Sequence, residues 1–214
     1  MTVNDPWIFR DVRASILSHN DVDTDAIIPQ TELVTTSKTG LSKGLFARWR
    51  YDNTGLLCSN FVLNRPENRN SKILISARNF GCGSSREHAV WALKDFGIVA
   101  VLALSFGEIF YRNSVRNGLI AAVISDETYS MLLKSASPES KGMMMSLDLG
   151  KKLIEWRTPE ARMGTADINI DDKDRERIAS GQDEIDITLK YLSEIDQYVE
   201  QDMSARPWVY SLSQ

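Results

Sequence analysis

The chain has 214 residues and a mass of 24.1 kDa, enough for one domain with its own core; 43% hydrophobic and 25% charged residues exclude a disordered, collagen-like or membrane-embedded body. Two cysteines, Cys58 and Cys82, cannot form a disulfide framework, and with only His19 and His88 besides, the chain cannot by itself ligate an iron–sulfur cluster. A net charge of -4 leaves no basic footprint for nucleic acid and directs attention to small-molecule or protein partners.

The start, Met1-Thr-Val-Asn-Asp-Pro-Trp7, lacks a basic region followed by an apolar stretch, so no secretory leader is predicted and a cytoplasmic location is expected. Between there and Lys72, Gly40, Gly44, Gly55 and Pro66 break the chain into loops and short elements whose conformation the pattern does not specify. From Lys72 the grammar alternates strand and helix: a strand at 72–76, a helix at 84–96 closed by Gly97, and a strand at 98–102. Ile98 to Leu104 is the longest apolar run, too short for the roughly 18 residues of a membrane span. A helix at 105–116 opens on a Ser105/Glu108 capping box and ends at Asn117-Gly118; a strand at 119–124 and a helix capped by Asp126 follow. This is an α/β pattern of crossover βαβ units around a parallel sheet. Met143-Met-Met145 reads as core filler. Further on come strands at 147–149 and 152–156, a solvated acidic face with Asp171, Asp172, Asp174, Asp183, Glu184 and Asp186, and a helix around 193–203. The chain therefore reads as a single domain, 1–214, with a C-terminal tail from about residue 203 whose Pro207-Trp-Val-Tyr210 either tucks back or docks on a partner.

The segment with chemical character is Asn79-Phe-Gly-Cys-Gly-Ser-Ser-Arg-Glu-His88, between a strand end and a helix start, where open parallel sheets place their ligand sites. Ser84 with Glu87 fits a capping box, and the glycines fit a tight turn. Two hydroxyls, Arg86 and free backbone N–H groups at a helix N-terminus also make a carboxylate or phosphate receptor. The third glycine of a dinucleotide loop and the GK[ST] of a P-loop are missing, which disfavours a nucleotide.

Asn79 to Ala89, with Trp91-Ala-Leu93 after it, resembles the signature of the small-subunit family of 3-isopropylmalate dehydratase, the swivelling domain of the aconitase superfamily. Asp21-Val-Asp-Thr-Asp-Ala-Ile-Ile-Pro29 resembles a second signature of that family, Ser105 to Tyr111 with Asn113-Ser114 a third, and similarity continues through Gly181 to Leu189. The resemblance implies a compact β/β/α swivelling domain and a hydro-lyase that isomerises 2-isopropylmalate to 3-isopropylmalate in leucine biosynthesis. It implies Ser84 as the base that takes the proton from carbon, Arg86 as the partner of a substrate carboxylate with Ser85 beside it, and Thr24 and Asp25 at the edge of the site. It also implies a large partner subunit bearing a 4Fe-4S cluster, with activity only in the heteromer. The chemistry agrees: a helix N-terminus and a guanidinium favour a serine alkoxide, Arg86 suits bidentate carboxylate binding, and a departing hydroxyl asks for a Lewis acid this chain does not carry. Cys82 and His88 read as packing or orienting residues.

Asp21, Asp23, Asp25 and Glu32 occupy positions 1, 3, 5 and 12 of a calcium-loop pattern, but Ala26 stands where its glycine belongs and Pro29 at position 9, so no metal site is expected. After Pro29, Leu33 suits an isopropyl group and Glu32 would repel a third carboxylate. Glu32 replaces the family's usual aromatic, and Val90 and Ala121 replace usual prolines, which leaves open a paralogue acting on citramalate or dimethylmalate. A non-catalytic dicarboxylate-binding module is the reading from another class.

Overall fold

In a computed structural model, described for residues 8–33, 37–136, 142–181, 188–189 and 191–210, the first described strand in chain order is one that sequence periodicity misses. Strand β1 (Ile8–Leu17) is interrupted by the charges of Asp11 and Arg13, and Asp11 adopts a left-handed φ of 48° where the register shifts between Phe9 and Val12. Such a bulge destroys the two-residue alternation by which a strand is recognised.

Short helix α1 (Thr24–Ile27) and helix α2 (Ala47–Arg50) lie in the irregular stretch that follows, with single-turn 3-10 segments at Gln30–Glu32, Val62–Asn64 and Pro66–Asn68. The predicted alternation then appears: β2 (Ile73–Ser76), α3 (Glu87–Phe96), β3 (Ala100–Ala103), α4 (Glu108–Arg116), β4 (Ile120–Val123) and α5 (Asp126–Ser135). Three antiparallel strands, β5 (Met143–Asp148), β6 (Leu153–Arg157) and β7 (Met163–Asp167), and helix α6 (Asp172–Ser180) complete this part. The sheet has the order β4-β3-β2-β1-β5-β6-β7; β1 to β4 are mutually parallel, and β1 joins them to the antiparallel half through β5.

The parallel strands are short and apolar because they are buried on both faces. Ile73, Ile75, Ala100 and Leu102 face one core with Leu132 of α5, Met143, Met145 and Trp156; Leu74, Val101 and Ala103 face a second with Leu93 of α3, Phe110 of α4 and Ile27 of α1. Met143 and Met145 are buried on β5, as core filler should be. Gly97 ends α3 at a φ of 103°.

Three helix starts differ from expectation. Helix α3 begins at Glu87 with no side-chain cap; the loop continues to Arg86, with the Ser84 carbonyl accepting from Arg86 N and Thr24 Oγ1. Glu87 instead accepts a hydrogen bond of 2.6 Å from Asn117 Nδ2 at the far end of α4. Ser105 Oγ accepts from Asn79 N at 2.8 Å and does not cap α4, which starts at Glu108 after Gly107. Ser125, one residue before Asp126, caps α5 through Thr128 N.

The chain divides into two compact units, Met1–Ala179 and Ser180–Gln214. In the second, helix α7 (Leu192–Ala205) is followed by one turn, α8 (Pro207–Tyr210); the Tyr210 hydroxyl donates to Asp202 Oδ2 at 2.8 Å and ties that turn to α7. Asp183, Glu184 and Asp186 of the expected acidic face, and most of the similar stretch from Gly181, lie outside the described residues.

Candidate functional site

Parallel strands β1, β2 and β3 end at one edge of the sheet, and the loops leaving them are bonded together there. Gly81 N donates to Val22 O at 2.7 Å and Thr24 N to Cys82 O at 2.9 Å; on the other side Phe80 N donates to Ser105 O at 3.0 Å and Gly107 N to Phe80 O at 2.9 Å. The loop after β2 is thus laced like a strand between the loops after β1 and β3, with bridges Asp23/Cys82 and Phe80/Phe106. The three family-like segments of the sequence are these three loops.

Glycine is required where the lacing is tightest. Gly81 has a φ of +76°, and a Cβ there would lie 2.1 Å from Phe110 Cγ; a Cβ on Gly107 would lie 2.6 Å from Gly81 O. Phe110 cannot yield, because it is buried edge-on against Phe80 at 5.3 Å and stacked with Phe106 at 6.3 Å.

Beyond Gly83 the chain turns out of this seam and presents Ser84 and Ser85 to solvent. Arg86, half-buried, reaches back: its Nη1 donates to Asp25 Oδ1 and to Ile28 O. Asp25 Oδ1 also accepts from Gln30 N at 3.2 Å, and Asp25 Oδ2 takes Arg48 Nη1 at 2.8 Å. One carboxylate therefore serves two guanidinium groups, leaving one net positive charge. The Arg86 hydrogen bond is the main cause that holds the Asp25 carboxyl below its usual value of 3.8; burial, the next largest effect, opposes it, and the Gln30 N–H and the Arg48 and Arg86 charges lower it further. Thr24 is 1% exposed, and its hydroxyl donates to Ser84 O at 3.0 Å, so it acts on the loop from beneath. Leu33 packs, partly buried, against the core that contains Ile27 and Leu45.

A depressed carboxylate stabilises the fold above its unfolded pKa, and that stability is lost as pH falls through the lower folded value. The difference in melting temperature between wild type and Asp25→Asn should therefore be constant above about pH 5 and shrink below 3.8. A difference that stays constant down to pH 2 would show that Asp25 stabilises nothing by its charge.

The calcium-like aspartates are employed separately: Asp21 Oδ1 accepts from Asn79 Nδ2 at 2.8 Å, Asp23 Oδ1 caps α1 through Ala26 N at 2.6 Å, and Asp25 pairs with arginines. Glu32 packs its stem against Gly44, where a Cβ would lie 2.7 Å from Glu32 Cβ. His88 packs on Trp91 with ring centres 4.6 Å apart, and Trp91 Nε1 donates to Asn117 Oδ1 at 3.0 Å. Burial, then the Asp23 and Asp21 charges, push the Cys82 thiol up, the wrong direction for a reactive thiolate. Sequence reasoning missed Arg48. It belongs to a four-residue helix whose N-cap Phe46 is left-handed at φ 49°, and no periodicity announces it.

The aconitase C-terminal domain family matches residues 13–127, which contain all three loops. The 3-isopropylmalate dehydratase small subunit of Agrobacterium fabrum is 44% identical over 188 residues, covering 88% of this chain and 91% of that protein. The protein of the same name from Methylobacterium radiotolerans is also 44% identical over 188 residues, with the same 88% and 91% coverage. The crystal structure of 3-isopropylmalate dehydratase from Methanocaldococcus jannaschii is similar at a TM-score of 0.62 and 30% identity, covering 89% of this chain and 99% of that one. A likeness that runs over nearly the whole chain, in sequence and in fold, places this protein in the 3-isopropylmalate dehydratase small-subunit family of the aconitase superfamily.

Proposed function

We propose that the chain is the small subunit of a cytoplasmic, heteromeric hydro-lyase that interconverts 2-isopropylmalate and 3-isopropylmalate by removing water and adding it back at the neighbouring carbon, in leucine biosynthesis. The observation that carries this reading is the junction of two distant loops, where Asp25 fixes Arg86 and Thr24 fixes the Ser84 backbone. Among the described residues Arg86 bonds through Nη1, to Asp25 and Ile28, and its other N–H groups are assigned to a substrate carboxylate. Ser84, on an exposed loop just ahead of the α3 N-terminus, takes the proton from the substrate carbon. The helix end and the guanidinium both favour its anionic form, and closure by a partner strengthens both effects by excluding water. Ser85 adds a second hydroxyl beside the carboxylate, and Leu33 is the apolar contact assigned to the isopropyl group. Thr24 and Asp25 are positioning residues.

The residues of this chain do not fit a 4Fe-4S cluster. Cys82 is raised in pKa within the loop seam, Cys58 sits in the segment around Asn64, and among the described residues no group of three or more His, Cys, Asp or Glu could hold a metal ion. The cluster is therefore assigned to the larger subunit, and departure of the hydroxyl belongs to that partner. Among the described residues no helix is long and apolar enough to cross a membrane.

The test is turnover by the chain alone and after assembly with its cluster-bearing partner, on 2-isopropylmalate, citramalate and dimethylmalate. The assembled enzyme should favour 2-isopropylmalate, the chain alone should be inactive, and Arg86→Lys should raise KM about tenfold or more through loss of the paired N–H geometry. Turnover by the isolated chain, or an unchanged KM and kcat in Arg86→Lys, defeats the reading. A preference for citramalate moves it to the paralogue.

A further inference from the structure

A basic concavity lies at the end of α3 opposite Arg86, about 15 Å away at the helix rise per residue. Phe96, the last residue of α3, walls a cavity of about 400 Å3 that is also lined by Arg50, Arg65 and Arg69 and contains no acidic residue. None of the three arginines forms an ion pair among the described residues.

The floor of this cavity is already built. The Arg50 guanidinium lies over the Phe96 ring at 4.8 Å and near the Tyr51 ring at 5.2 Å, while Nη1 donates to Ser42 O at 2.8 Å and Leu45 O at 3.2 Å. Asn64 accepts from Arg50 Nε at 3.4 Å and is itself anchored by donating to Arg50 O at 2.7 Å and Cys58 O at 2.9 Å. Burial pulls the Arg50 pKa down, the sign of a cation short of solvation. Arg65 and Arg69 cap the two ends of the 3-10 turn Pro66–Asn68, so a proline-stiffened frame sets their spacing. Among the described residues the Arg65 side chain bonds at 3.4 Å to Asn60 O, and Arg69 is exposed. The remaining wall is apolar, from Leu57, Leu63 and Pro66. Three cations around one hollow, of which Arg50 is held in place by several bonds, repel one another, and a bound anion offsets that repulsion.

We propose that this cavity binds a small organic anion, a carboxylate or phosphate carried on a compact apolar group. The anionic oxygens lie between Arg65, Arg69 and the unused edge of Arg50, and the apolar group lies against Phe96, Leu57 and Leu63. The cavity is separate from the Ser84 loop and does not depend on the reaction assigned to it.

The experiment is a calorimetric titration of the full chain carrying Arg86→Ala, which silences the carboxylate receptor at the opposite end of α3. The probes are phenyl phosphate, benzoate and inorganic phosphate. Phenyl phosphate or benzoate should bind one to one, and inorganic phosphate about tenfold more weakly for want of the apolar contact; which organic probe binds tighter identifies the headgroup. Adding Arg65→Ala and Arg69→Ala should weaken the organic probe by about tenfold or more at an unchanged melting temperature. Should that variant fail to fold, Arg69→Gln alone, at an exposed position, should still weaken binding several-fold. Absence of binding, or an affinity indifferent to Arg65 and Arg69, overturns the proposal. So does the finding that Arg65 and Arg69 are needed only for assembly with the larger subunit, which would make this face a protein contact.

Discussion

Ser84→Ala is expected to lower kcat of the assembled enzyme by about 10^2 to 10^4-fold, the usual worth of a positioned proton-transfer group, with assembly intact. The structure makes this substitution unusually clean. Ser84 was also readable as a helix cap, and loss of a cap costs about 1 kcal/mol and disturbs the helix. Here α3 starts three residues later, and Ser84 is exposed and held through its backbone carbonyl, which alanine keeps. The stability change should therefore stay within about 0.5 kcal/mol, an exposed-site value. Steady-state kinetics beside thermal melts of the same preparation separate the outcomes. Near-normal kcat would reduce Ser84 to a loop residue, and a large drop in melting temperature would mean that the hydroxyl is structural.

Gly81→Ala has the largest expected effect on the fold. Left-handed φ costs a residue with a Cβ about 1 to 2 kcal/mol, and inserting a methyl into a packed core costs about 1 to 3 kcal/mol more. The second cost is at its upper end, because Phe110 is wedged between Phe80 and Phe106 and a Cβ would come within 2.1 Å of its ring. A total of about 4 kcal/mol corresponds to a melting temperature lower by about 8 to 16 °C for a chain of this size. Gly55→Ala is the matched control: its φ is +82°, but nothing lies within 4 Å of the added carbon, so only the backbone cost applies. Equal losses at the two positions would show that the Phe110 contact is unimportant. Because residue 81 anchors the loop that carries Ser84, the Gly81 variant should lose activity at temperatures where it is still folded.

The parts of the fold that could be read from sequence are those whose signal is local. Strands β2, β3 and β4 are continuous apolar runs because they are buried on both faces, and α3, α4 and α5 separate them with helical spacing. Strand β7 was not readable: Gly164 sits where a Cβ would strike Trp156 at 2.2 Å, and the strand offers little apolar alternation of its own. Helix α6 was hidden by charge, with Asp172, Lys173, Asp174, Arg175 and Glu176 in succession and no buried residue. The expected capping boxes failed because both helices start later than the serines. The Ser105 hydroxyl and the Ser84 carbonyl are bonded to neighbouring loops, and α3 and α4 begin only at Glu87 and Glu108, which local spacing cannot anticipate. In the site, Ser84, Ser85 and Arg86 were readable as a dense polar run after a strand. The roles of Thr24, buried beneath that run, and of Arg48, which shares Asp25, depend on loops some sixty and twenty residues apart meeting in space.

The position of β1 has a kinetic consequence. Among the described strands it comes first in the chain, yet it lies at the centre of the sheet, where Ala14 pairs with Ile73 on one side and Ile8 with Asp148 on the other. Its second edge stays open until a partner about 140 residues downstream has been made. Contacts of such sequence separation slow folding, and an unpaired edge invites association with other chains. The bulge at Asp11 and the charges of Asp11 and Arg13, which hid the strand from pattern analysis, are also features that discourage edge-to-edge pairing. The same residues thus guard the nascent sheet during the interval before β5 arrives.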